Sequence, residues 1–101
     1  MNHQTQIVKQ YKIWTFEVQA DEFRDRQYKG YADKFYSNRA IMIEFLKNPD
    51  SEFFIDNGMA LSIHSQKEAA TMRTRYVVVA SMNIEQHKTW EQRQFLEKLA
   101  T

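Results

Sequence analysis

The chain contains no cysteine. That excludes a disulfide scaffold, thiolate metal sites and a cysteine nucleophile, and it fits a reducing cytoplasm. It has one proline, Pro49, and two glycines, Gly30 and Gly58, so few turns that need positive φ can exist and long elements should follow. No run approaches the ~18 apolar residues of a membrane-spanning helix, and Met1 to Gln6 is too polar for the core of a signal peptide. No surplus of either charge is present: 14 basic residues stand against 13 acidic, a formal net charge of +1. A nucleic-acid binder usually shows a clear basic excess on one face, so that class is disfavoured.

What is present is aromatic surface. Aromatic residues make up 14% of the chain and hydrophobic residues 43%, too much apolar surface for a solvated, disordered polymer. At 101 residues the expectation is one domain, residues 1–101, burying roughly 60–65% of its extended surface on folding. No internal repeat or linker divides it.

The longest pattern runs from Asp21 to Lys47. Tyr28, Tyr31, Phe35, Asn38, Met42 and Phe45 recur at spacings of three and four, the period of one helix face. Asp21 is a suitable N-cap, and Glu22–Arg26 and Asp25–Lys29 are acid-first pairs four apart. Asn48-Pro49 ends the run. Asn38 is the one polar member of the stripe, expected to bond a sheet backbone group or to sit near a subunit interface.

Residues 1–6 read as a frayed end. Tyr11 to Val18 has strand composition, with Trp14, Phe16 and Val18 on one face. Between Glu52 and His64, Asn57-Gly58 separates Phe53-Phe54-Ile55 from Met59, Leu61 and Ile63, which predicts a hairpin. The rival is a short helix from Pro49 to Asp56 closed by Gly58. Ser65 to Thr71 is one or two helical turns or a loop. Met72 to Met82 is a strand with Met72, Thr74, Tyr76, Val78, Ala80 and Met82 on one side. Its apolar run Val77-Val78-Val79 predicts a central position. Asn83 then caps a closing helix from Ile84 to Leu99, with Ile84, Phe95 and Leu99 on one side and Trp90 off that stripe.

These elements predict an α+β domain: an antiparallel sheet of about four strands packed on one long helix and a C-terminal helix. If Ser65–Thr71 is helical, the order resembles a ferredoxin-like βαββαβ unit. Residues 21–100 also resemble double-stranded RNA binding domains in element order. The lysine-rich start of that family's last helix is missing, since Ile84-Glu85-Gln86-His87-Lys88 holds one lysine.

Candidate chemistry is sparse. His64 is a general-base candidate beside Ser65. His87 and Glu91 share a helix face, but two ligands make no metal site, and neither a metal nor any other cofactor is expected. Arg73 and Arg75, two apart on one strand face, could fork onto a carboxylate or phosphate. Arg24, Arg26, Lys29, Lys34 and Arg39 interleave with tyrosines, as in single-strand binders, yet four acids in the same stretch cancel most of that charge. With no catalytic motif, the leading expectation is a non-enzymatic binding module, a homodimer without membrane attachment, engaging a protein or small molecule. Its interface would use Tyr36, Ile43 and Trp90. The principal rival is a dimeric ferredoxin-like ligand-binding protein or enzyme, its pocket lined by Trp14, Phe16, Tyr76 and His64. The third class is nucleic-acid binding through Arg24, Arg26, Arg73 and Arg75.

The balanced charge generates a first prediction. Binding to random duplex DNA or RNA should be weaker than micromolar at about 150 mM salt. Filter binding checks this, and submicromolar affinity lost in Arg73→Ala/Arg75→Ala would contradict it.

Overall fold

The computed structural model describes residues 3–21, 27–58 and 60–100. Two antiparallel strands come first, β1 (His3–Val8) and β2 (Tyr11–Ala20). Three short helices follow, α1 (Tyr31–Tyr36), α2 (Arg39–Phe45) and α3 (Ser51–Asn57), then β3 (Ala60–Lys67), β4 (Thr74–Asn83) and α4 (Ile84–Ala100). The four strands form one antiparallel sheet in the order β1-β2-β4-β3. The α+β class is as expected. The ferredoxin-like order is not obtained: a turn, not a helix, joins β3 to β4, and the helices between strands all fall between β2 and β3.

β4 sits between β2 and β3, as its run of valines requires. It pairs with β2 along ten residues, from Tyr11↔Asn83 to Ala20↔Thr74. Its even-numbered residues from Thr74 to Met82 are buried and its odd-numbered ones half-buried, the period-two signature of a sheet covered on one face. On β2 the same rule buries Trp14, Phe16 and Ala20. Helices α1 to α3 cover this inner face with Phe35, Ile41, Phe45, Phe53 and Phe54, and together with Tyr76 and Val78 these residues form the core. The rings pack in offset and edge-on arrangements. Trp14 lies 4.8 Å from Phe16 and 5.5 Å from Phe45, and Phe35 meets Phe45 edge-on at 4.7 Å.

The single long helix is replaced by two short ones, and Asn38 is the reason. It takes an extended conformation (φ −113°, ψ 107°), and its side-chain oxygen accepts from the Ile41 N–H at 3.1 Å, so it caps α2. The partner of its side-chain oxygen is therefore the backbone of α2 and not the sheet. Breaking the helix there brings Ile41 into the core alongside Phe35 and Phe45 and leaves Tyr31 about half exposed. Gly30 lies at the N-cap of α1 in extended conformation, not inside a helix. Asp21 precedes no described helix, and the Glu22–Arg26 and Asp25–Lys29 pairs include residues outside the described set, as do Arg24 and Arg26 of the suggested basic face.

The expected hairpin at Glu52–His64 is instead α3 followed by β3. A type I′ turn needs positive φ at both central residues. Gly58 alone has it (φ 73°), and it ends α3 as the alternative reading proposed. Asn57 turns back to donate from its side-chain amide to the Phe53 carbonyl at 3.0 Å. The helix buries Phe53 and Phe54 together and leaves Ile55 outside. Ser65–Lys67 continues β3, and the chain reverses at 68–73 through bonds from Met72 N–H to the Glu68 carbonyl and from Glu68 N–H to the Arg73 carbonyl. Met72, expected on the inner face of the strand, lies in this turn at φ 57° and is exposed. The N-terminal residues from His3 are not frayed but form β1, paired from His3↔Phe16 to Val8↔Tyr11.

Asn83 caps α4 as expected, accepting from the Glu85 and Gln86 N–H groups at 3.0 and 3.2 Å. Of the expected apolar stripe of that helix, Ile84 is half-buried and the C-terminal part is not covered. Phe95, Leu96 and Leu99 are 62%, 63% and 68% exposed, while the off-stripe Trp90 is half-buried. The radius of gyration, 15.4 Å, exceeds the ~13 Å of a compact chain of this size, and the longest dimension is 51 Å. An α4 whose far end leaves the body accounts for the elongation.

Val78 is fully buried at the centre of the sheet. Val78→Asp places an unpaired charge there and should cost more than about 3 kcal/mol, leaving the protein unfolded or insoluble. Circular dichroism melts check it. A folded variant with an unchanged Tm would contradict the burial.

Candidate functional site

Two polar clusters sit at the margins of the aromatic core. The larger one centres on Asp50. β2 alternates inward at Trp14 and Phe16, so Lys12, two residues earlier, also lies on the inner face and carries its charge to the edge of the helical layer. There its Nζ donates to Asp50 Oδ2 at 2.8 Å. Asp50 stands at the N-cap of α3 but makes no side-chain capping bond; Asn48 Oδ1 holds its backbone N–H at 2.9 Å. Its carboxylate is thus free to face Lys12 on one side and α4 on the other.

α4 supplies His87 and, one turn on, Glu91. His87 Nε2 lies 2.8 Å from Asp50 Oδ1, and Nδ1 lies 3.5 Å from Glu91 Oε1. The Nε2 contact is short but not aligned as a hydrogen bond, and Nε2 is a buried polar atom without a hydrogen-bond partner. The imidazole is held edge-on against Phe53, with ring centroids 5.1 Å apart, and stacks on Trp90 at 5.9 Å. Trp90 in turn meets Phe53 at 5.7 Å and donates its indole N–H to Asp56 at 3.0 Å. Asp50, His87 and Glu91 bring one potential ligand atom each to within 4.8 Å of one another, a group of three that could hold a metal ion among the described residues.

The second cluster is His3, Glu44 and Lys47. The His3 ring stacks on Trp14 and Phe16 at 5.2 and 5.4 Å and pairs with Glu44, which Lys47 also reaches at 2.9 Å. The hydrogen bond from Lys47, and after it that from His3, holds the Glu44 carboxyl below the usual carboxylate range, against the opposing effect of its burial.

The residues singled out in the sequence are distributed differently. Trp14, Phe16 and Tyr76 are brought together, but as buried core. The Tyr76 hydroxyl reaches the Asp21 carbonyl at 3.3 Å. His64 lies on the opposite face of the sheet, paired in register with Val77, exposed, and 3.5 Å from the Ser62 hydroxyl rather than beside Ser65 or Asp56. Arg73 is exposed at the end of the β3–β4 turn. Arg75 donates to Gln66 at 2.8 Å and buries an Nε that finds no hydrogen-bond partner. It borders a cleft whose walls include Glu17, Glu44 and Glu68, a setting that repels an anion. Tyr36 and Ile43 are about half exposed on α1 and α2. A separate cleft of about 630 Å³ is bordered by Tyr11, Phe53, Gly58, Ser81, Asn83 and Gln86, none of which was expected to line a pocket.

Asp50 and Lys12 were missed by sequence reasoning. Asp50 is 37 positions from His87 and belongs to no spacing motif. Lys12 did carry a signal, because a lysine in phase with Trp14 and Phe16 points inward and requires an acid. No family model, curated protein or solved structure matches the chain.

The Glu44 pairings act on the ionised carboxylate. Their stabilisation is therefore complete above the ordinary value of 4.5 and is lost as the pH falls through the lowered one. The Tm advantage of the wild type over Glu44→Gln should be full at about pH 5 and shrink progressively as the pH is lowered below 4.5. Thermal melts at successive pH values check this; parallel curves for the two proteins would contradict it.

Proposed function

We propose that this chain is a cytoplasmic, non-enzymatic interaction module that works by pairing with a second copy of itself through the outer half of α4. The observation that carries the reading is Phe95, Leu96 and Leu99, each more than 60% exposed on the end of a helix whose first two turns alone are packed. Two large side chains side by side, with a third one turn further on, form a continuous apolar strip. Strips of this kind mark interaction sites more often than scattered single residues do.

Charge selects the occupant. Between residues 91 and 100 the helix carries Glu91 and Glu97 against Arg93 and Lys98, a balance of zero. A second copy meets no net repulsion there, and a strongly charged partner such as nucleic acid gains nothing. Of the residues proposed from sequence, Trp90 is committed to Phe53, His87 and Asp56 within the chain. Tyr36 and Ile43 present less apolar surface than the end of α4.

A helix pair of about three turns covers less than the ~800 Å² per partner of a standard interface, so the dimer should be a weak one, with a Kd in the micromolar range. Sedimentation velocity across a dilution series from about 1 to 500 μM should show a monomer–dimer shift. In Phe95→Ser/Leu99→Ser the shift should disappear while the circular dichroism spectrum is retained, since neither side chain supports the core. A wild type that stays monomeric throughout, or a double variant that dimerises like the wild type, would overturn the proposal.

A further inference from the structure

We infer that Asp50, His87 and Glu91 form a binding site for a divalent transition-metal cation of the zinc type. The three residues come from the N-cap of α3 and from adjacent turns of α4, and their nearest ligand atoms lie within 4.8 Å of one another. Three protein ligands around zinc, each about 2.0–2.2 Å from the ion, stand roughly 3.2–3.6 Å apart in a tetrahedron. The Asp50–His87 pair, at 2.8 Å through Nε2, is closer than that and opens by about half an ångström to admit the ion. Glu91 now lies 3.5 Å from the other ring nitrogen, Nδ1, and its side chain, 59% exposed, has room to swing towards the Nε2 side.

The second observation is the state of His87. The residue is only 8% exposed, and its Nε2 is buried, faces a carboxylate oxygen at 2.8 Å and yet has no hydrogen bond. A ring nitrogen and a carboxylate oxygen converging without a proton directed between them is an arrangement that a cation satisfies. Lys12 fixes the other oxygen, Oδ2, so that Oδ1 is presented to the site. Phe53 and Trp90 clamp the imidazole plane, which removes the cost of ordering the ligand on binding.

The ligand set decides the class of ion. Magnesium and calcium take all-oxygen shells, whereas one imidazole with two carboxylates suits zinc and its neighbours. Three protein ligands leave a fourth position for water or a group from another molecule.

The test is isothermal titration calorimetry of the full chain, first dialysed against chelator, with zinc chloride as the probe. One equivalent should bind with a Kd in the low micromolar range, and magnesium chloride should give no heat at millimolar concentration. Asp50→Asn and Glu91→Gln should each weaken zinc binding at least ten-fold. Glu91 is exposed, so Glu91→Gln should keep the metal-free Tm and separates ligand loss from unfolding. His3→Gln/His64→Gln should bind zinc as the wild type does. No stoichiometric binding up to about 1 mM zinc, or wild-type affinity in either carboxamide variant, would overturn the site. So would loss of binding in His3→Gln/His64→Gln.

Discussion

One face of the sheet has to be kept dry by 20 helical residues in three short pieces, and the rest of the architecture follows from how that is done. No helix of six or seven residues is stable alone, because nucleation costs more than so few bonds return. α1, α2 and α3 hold only because each inserts aromatic or branched side chains against Trp14, Phe16, Tyr76 and Val78. The sheet in turn needs them, since β4 leaves Val77 and Val79 half-buried on one side and must bury the other. Composition and fold meet here. A chain this rich in phenylalanine covers a sheet with rings that reach further than aliphatic side chains, so short helices suffice.

The edge of that layer is where charge enters. Lys12 sits in phase with the inner row and needs a partner, Asp50 supplies it, and the second oxygen of Asp50 recruits His87. This junction ties β2, α3 and α4 together in a region where α4 has little other anchorage. Phe53 and Trp90 add the apolar part of the attachment.

Strong local periodicity was legible and long-range pairing was not. The alternation of Met72–Met82 and the density of Tyr11–Val18 identified β4 and β2, and Asn83 marked the start of α4. The Asp21–Lys47 stripe misled because periods of three and four persist across Ser37-Asn38, where two short helices happen to keep their apolar sides aligned. Asn38 is the one polar residue in that stripe, and its place there is explained by the cap it forms on α2. Asn57-Gly58 supports either a tight hairpin or a helix end, and only the tertiary burial of Phe53 with Phe54 decides between them. β1 was invisible because His-Gln-Thr-Gln is polar on both faces; it is an edge strand whose pairing comes from β2. The Asp50 junction was unreadable for a related reason. His87 and Glu91 were readable as one helix face, but their meeting with residues 12 and 50 spans separations that no local pattern encodes.

The free half of α4 makes the helix a lever. From Trp90 to Ala100 it extends about 15 Å beyond its last firm support. A tilt of about 10° at the root would move the tip by nearly 3 Å, about half a helical turn. The root is a polar junction of four residues, whereas the tip carries apolar side chains. A displacement at the root would therefore reach Phe95 and Leu99 enlarged by the length of the helix alone.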